Sequence, residues 1–130
     1  MSVSWKKILY RAALLLARTR VGRSLFRMVF SSVNFELPLP RLRESNHATA
    51  YKHPDPSYPF HILIVPKQSC ESITALAETG STLLIDVIGI VKSLVEEFEL
   101  DAVGYRLIVN GGKYQEIPQL HFHLIAEKLP

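Results

Sequence analysis

Gln119-Leu120-His121-Phe122-His123-Leu124-Ile125 is the stretch on which the reading of this chain turns. Apolar and polar residues alternate through it, the period of a β-strand covered on one face. Leu120, Phe122 and Leu124 fall on one side of such a strand, and Gln119, His121 and His123 on the other. Two histidines two positions apart on a strand stand about 7 Å apart along the backbone, at a rise of about 3.3 Å per residue. That spacing suits one phosphate or one metal ion. A half-buried strand whose histidines face water fits the same pattern.

Upstream, Phe60-His61-Ile62-Leu63-Ile64-Val65 is almost continuously apolar and is stopped by Pro66, which predicts a central strand. His61 is its one polar member, and a lone histidine there is ordinarily a satisfied core residue. Residues 41–44 and 47–51 read as two short strands turned at Ser45-Asn46. Between them and the central strand, His53-Pro54-Asp55-Pro56-Ser57-Tyr58-Pro59 is a loop fixed by three prolines. Residues 71–78 read as a short helix ended by Gly80, with Ser81 as the N-cap of a long one. Leu84, Val87, Ile88, Val91, Leu94, Val95 and Phe98 give that helix an apolar stripe, and Asp86, Lys92, Glu96 and Glu97 a wet face. Gly104 turns the chain into a strand over 105–110. Asn110-Gly111-Gly112 then signals the turn that leads back to the histidine strand as an antiparallel neighbour.

A length of 130 residues suits one domain, and 48% hydrophobic with 21% charged residues is ordinary for a globular chain. The single cysteine, Cys70, excludes an internal disulfide and a cysteine-based zinc site, and is compatible with a reducing compartment. Charge is divided unevenly. Residues 1–35 hold Lys6, Lys7, Arg11, Arg18, Arg20, Arg23 and Arg27 and no acid, or +7, while the other eight basic residues and all twelve acids give residues 36–130 a charge of −4. The expected organisation is a basic amphipathic helix and linker over 1–35, with Pro38 and Pro40 extended beyond it, and a domain over 36–130.

Residues 4–30 read as that helix, with Trp5, Ile8, Leu9, Ala12, Leu15 and Leu16 at helical spacing. The apolar run from Ala12 to Ala17 is too short to span a bilayer, and no secretory cleavage site follows it. Such a helix can lie in an anionic membrane interface. It also resembles a mitochondrial transit peptide, and packing on the domain or on a second copy is the plainest alternative. No aromatic or glycine pattern points to specific nucleic-acid binding. The location expected is cytoplasmic, with peripheral membrane contact.

Three blocks together resemble the histidine-triad (HIT) superfamily: residues 60–67, residues 105–111 and residues 115–125, in that order and with the long helix between the first two. The resemblance spans roughly residues 41–127. It implies an α+β fold with an antiparallel five-stranded sheet, one long and one short helix, commonly assembled as a two-fold homodimer with a joined sheet. To these this chain adds its amino-terminal amphipathic helix. It implies hydrolases or transferases that act at the α-phosphate of nucleotide derivatives, such as phosphoramidates, without a cofactor or metal. By the same resemblance His121 is the nucleophile that becomes a nucleotidyl-histidine, Gln119 stands where the first motif histidine would buttress it, and His123, His61 and Asn110 contact phosphate. A neutral imidazole attacks phosphorus only if its other nitrogen has a fixed acceptor.

Three departures stand out against that pattern. Gln119 cannot carry a proton as histidine can. His53, in Lys52-His53-Pro54, occupies the place of an acid that grips ribose hydroxyls. Tyr114-Gln115-Glu116 replaces a small Gly-x-Ser-like segment that contacts the phosphate or leaving group, so Gln115 and Glu116 are the corresponding substrate-contact candidates, and Glu116 would repel a phosphate unless turned away or acting as an acid. The chain ends at Pro130, so the tail that shapes substrate choice in some relatives is expected to be missing. A fold that has kept nucleotide binding or a tethering role and lost turnover is the second reading. A site in which His121, His123 and His61 or His53 bind a transition metal is the third.

Overall fold

The computed structural model describes residues 5–17, 19–22, 37, 39–77 and 80–130. Helix α1 (Trp5–Ala17) is followed by strands β1 (Arg41–Glu44), β2 (Ala48–Lys52) and β3 (Phe60–Pro66), helix α2 (Ser81–Glu97), and strands β4 (Arg106–Ile108) and β5 (Phe122–Ala126). The five strands form one sheet in the order β1-β2-β3-β5-β4, every neighbouring pair antiparallel. The α+β architecture expected from the sequence is present.

The two faces of the sheet have different tasks. Ala48, Ala50, Phe60, Ile62, Ile64, Phe122, Leu124 and Ala126 point to the face covered by α2, where they meet Val87, Ile90, Val91, Leu94 and Val95. Burying each of the larger of these side chains contributes about 1.5–3 kcal/mol. The alternate positions, Tyr51, Leu63 and Val65, point to the other face and pack with Leu37 and Leu39. Strand parity therefore sends His61 and His123 to that second face, away from α2. In the β3–β5 register His123 lies opposite Leu63, and His61 opposite Ile125.

Several local expectations shift. The helix expected over 4–30 is described as Trp5–Ala17 with residues 20–22 helical again; residues 23–36 lie outside the described residues. The short helix over 71–78 is a single 3-10 turn, Ile73–Ala75, with residues 78–79 not described. So short a segment, with β-branched Ile73 and Thr74, does not repay helix nucleation. Ser81 is the first residue of α2, not its cap: Gly80 holds the N-cap position, already right-handed (φ −68°, ψ −8°), and no side chain caps it. The buried stripe of α2 is also rotated from the one expected. Ile90 is inside, while Leu84 and Ile88 are largely outside beside Ile85, which is 71% exposed.

Asp86, expected merely on the wet face, pins the β1–β2 turn to α2. One carboxylate oxygen accepts from the Ser45 hydroxyl (2.8 Å) and the His47 backbone N–H (2.9 Å). These bonds hold the Asp86 carboxyl below its ordinary pKa. Gly104 supplies the positive φ (+87°) that brings the chain from α2 into β4.

Candidate active site

The motif strand starts later than the alternation suggested. β5 begins at Phe122, whereas residues 117–119 bend and the Leu120 N–H donates to the Cys70 carbonyl (2.7 Å), outside the sheet. Pro118 has no N–H to give to a ladder, which favours that bend. The expectation that Gln119 shares a face with His121 and His123 is corrected accordingly. Gln119 is fully buried, and its amide holds the loop before the 3-10 turn. Its Oε1 accepts from the Cys70 N–H (3.2 Å) and its Nε2 donates to the Gln68 carbonyl (3.4 Å). Leu120, Phe122 and Leu124 do enter the core together.

What Gln119 gives His121 comes from its backbone. The Gln119 carbonyl lies 2.8 Å from His121 Nδ1, so Nδ1 carries the proton and Nε2 keeps its lone pair. A carbonyl is common to every residue type, so the glutamine leaves this contact intact.

The other histidines are oriented from the proline loop. The Asp55 N–H donates to His53 Nδ1 (3.0 Å) and the Ser57 N–H to His61 Nδ1 (3.1 Å). Each ring, when neutral, therefore carries its proton on Nε2. His61 Nε2–H in turn donates to His123 Nδ1 (2.9 Å), which leaves the proton of His123 on its own Nε2. The rings are packed as well as bonded. His53 stacks on His61 with centroids 4.1 Å apart, and His121 meets His123 edge-on at 5.0 Å. Tyr58 packs edge-on against His61 (5.6 Å).

Burial keeps all four rings neutral. It is the leading cause that pushes His121 and His61 below the ordinary value of 6.5, His53 down to about 4 and His123 to about 3. Neighbouring histidines add to the shifts of His53 and His123. For His121 the Gln119 carbonyl and the Glu116 carboxylate pull upward, and desolvation outweighs them.

A cleft of about 260 Å³ collects these groups. It is lined by His53, His61, His121 and His123, with Asn110, Glu116, Tyr114, Asp55, Ser57 and Leu14 of α1. Seven of the eight candidates from the sequence thus come together or, like Gln119, stand directly behind His121. Gln115 does not. Its amide donates to the Glu71 and Ile117 carbonyls, and the residue lines a neighbouring cavity with Gly111 and Gly112. The cleft residues that sequence reasoning missed are Leu14, Asp55, Ser57 and Tyr114. For Asp55 and Ser57 the signal was the proline-fixed loop itself, whose backbone N–H groups orient two of the rings.

Ring nitrogens of His53, His61 and His123 lie within 4.8 Å of one another, a spacing that would admit a metal ion. The polarity of their outer bonds opposes it. A ligating histidine donates its other N–H to a carbonyl or carboxylate, whereas His53 and His61 receive backbone N–H groups at Nδ1 and present N–H at Nε2. His61 gives its Nε2–H to His123, and the Nε2–H this leaves on His123, in the cleft, suits an anion.

The HIT domain family matches residues 34–129 of this chain. The chain belongs to the HIT family. An uncharacterised HIT-like protein of Buchnera aphidicola (subspecies Baizongia pistaciae) is 32% identical over 94 residues, covering 71% of this chain and 84% of that protein. The purine nucleoside phosphoramidase of Escherichia coli is 27% identical over 101 residues, covering 75% of this chain and 85% of the enzyme. Among solved structures, a HIT family hydrolase from Legionella pneumophila superposes with a TM-score of 0.66 at 29% identity, over 71% of this chain and 84% of that one. In this HIT domain the match begins near the linker, so α1, which lends Leu14 to the cleft, lies outside the shared region.

Proposed function

We propose that this HIT domain is a nucleotide hydrolase, of the phosphoramidase or nucleotidyl-transfer type, that works through His121. The observation that carries the reading is the pairing of His121 Nδ1 with the Gln119 carbonyl, which leaves the Nε2 lone pair in a cleft lined by other neutral histidines. Family membership and the likeness to a purine nucleoside phosphoramidase support it.

In the reaction, His121 Nε2 attacks the α-phosphorus and the N–P bond forms as the bond to the leaving group breaks. Positive charge that develops on the ring is stabilised by the Gln119 carbonyl at Nδ1–H. The Nε2–H of His123 and the amide of Asn110 donate to the phosphate oxygens as charge shifts onto them, while His61 gives its own proton to His123 and so positions it. Because His61 is fixed by the Ser57 N–H and in turn fixes His123, the His123 donor needs no reorganisation during the step. Water then attacks phosphorus, the N–P bond breaks, and the nucleoside monophosphate leaves with His121 restored. At the place of a ribose-gripping acid, His53 offers an N–H donor. Glu116 lines the cleft and can relay the proton that the leaving amine takes up from solvent and the one that the attacking water later returns. The test is turnover of a nucleoside 5′-phosphoramidate by the protein and by His121→Asn. Tight nucleotide binding with no turnover by the unaltered protein would favour a binding or regulatory module instead.

The assembly proposed is a homodimer. α2 leaves Ile85 and Ile88 exposed, and β4 is an edge strand of the sheet, so a second copy could cover the one and extend the other.

A further inference from the structure

We infer that α1 has two working sides: one roofs the histidine cleft, and the other docks the protein on an anionic lipid surface. The inner side is seen in two contacts. Leu14 forms part of the cleft wall. Arg11 grips Asp55 of the proline loop through Nε (2.7 Å) and a second nitrogen (3.2 Å).

The outer side is apolar and uncovered. Leu9, Leu15 and Leu16 are 65%, 64% and 64% exposed, and Ile8 is 45% exposed. At about 100° per residue these side chains fall within an arc of about 120°, with Leu14 on the opposite side of the helix. An amphipathic helix that merely packed on its own domain would bury that stripe. This one keeps it outward, while Leu14 faces the cleft and the exposed Arg11 reaches across to Asp55.

Charge chooses the occupant. Residues 1–35 carry seven basic residues and no acid, whereas residues 36–130 are net negative. An apolar stripe on a segment rich in bases and free of acids matches an interface of acyl chains beneath anionic headgroups. Among the described residues no helix is long and apolar enough to cross a membrane, so α1 lies in the plane of the interface. Held there by its outer stripe and to Asp55 by Arg11, α1 sets the cleft just beneath the lipid surface. Docking does not depend on the chemistry at His121, and neither does its test.

The full-length protein is floated with phosphatidylcholine vesicles and with vesicles enriched in phosphatidylserine, while the fluorescence of its sole tryptophan, Trp5, is followed. The expected result is flotation with the anionic vesicles alone and a blue shift of Trp5. The double variant Leu9→Glu, Leu16→Glu should lose at least about tenfold in vesicle affinity and keep its turnover and oligomeric state in solution. Equal binding by the double variant would overturn the inference, because bases alone would then explain the attraction. So would the absence of binding by the unaltered protein, or a change of oligomeric state in the variant without lipid, which would assign the stripe to a second copy.

Discussion

Replacing Gln119 by alanine should damage the fold far more than the chemistry. Gln119 is fully buried, with its amide between the Cys70 N–H and the Gln68 carbonyl. Alanine would leave that N–H without its acceptor and open a small void. An orphaned buried donor costs about 1–3 kcal/mol, and the void adds on the order of 1 kcal/mol, so the expected loss is about 2–4 kcal/mol. For a chain of this size that corresponds to a fall in Tm of about 7–15 °C. The bond that sets the tautomer of His121 comes from the backbone carbonyl of residue 119, which alanine retains. The adjoining Leu120 N–H keeps its own anchor on the Cys70 carbonyl. Well below Tm, kcat should therefore fall by less than about tenfold, or under about 1.4 kcal/mol of barrier. Thermal denaturation followed by circular dichroism and steady-state turnover of a nucleoside phosphoramidate measure the two effects separately. A loss of kcat of about a hundredfold or more with Tm nearly unchanged would refute the reasoning, since the side chain would then act in the chemistry.

Two further outcomes follow from the same structure. Since His121 must be neutral to attack and burial holds its pKa below 6.5, the acid limb of kcat/KM should fall at a pH below that of a free imidazole. Stability should change in the same direction: with His53 at about 4 and His123 at about 3, the unfolded chain binds more protons between those values and 6.5, so stability rises with pH through that window and its histidine contribution is level above it. Urea unfolding across that range measures it, and stability that rises as pH falls below 6.5 would contradict the neutral cluster. As a third outcome, at the proposed dimer surface, Ile85→Glu should convert dimer to monomer in light scattering with the secondary structure preserved, because Ile85 is 71% exposed in the single chain.

The fold was legible because period-2 and helical patterns write themselves directly into strand and helix faces. The apolar run from Phe60 to Val65 is β3, and the predicted neighbour of the histidine strand is β4. The histidine cluster was legible through the resemblance, which groups His61 with His121 and His123, and strand parity in the β3–β5 register then puts His61 and His123 on one face. What alternation could not convey was the bend at Pro118, which takes Gln119 out of the register and into the interior. Nor does a pattern of side chains disclose the backbone donors of Asp55 and Ser57 that fix two imidazoles, because any non-proline residue there could supply an N–H. The rotated stripe of α2 has a similar origin. Leu84, Ile85 and Ile88 are as apolar as the residues that face the sheet, so hydrophobicity did not tell the core side from the outer one. Leu14 entered the cleft through a tertiary contact of α1, for which helical spacing holds no signal.

The claim that His121 is the nucleophile is tested most directly by trapping its intermediate. The protein is mixed with an adenosine 5′-phosphoramidate, quenched in alkali within a turnover, and its intact and peptide masses are measured. The expected result is one added adenylyl group on the peptide that contains His121, absent from His121→Asn. Turnover at full rate by His121→Asn, or an adduct on any other residue, would contradict the account.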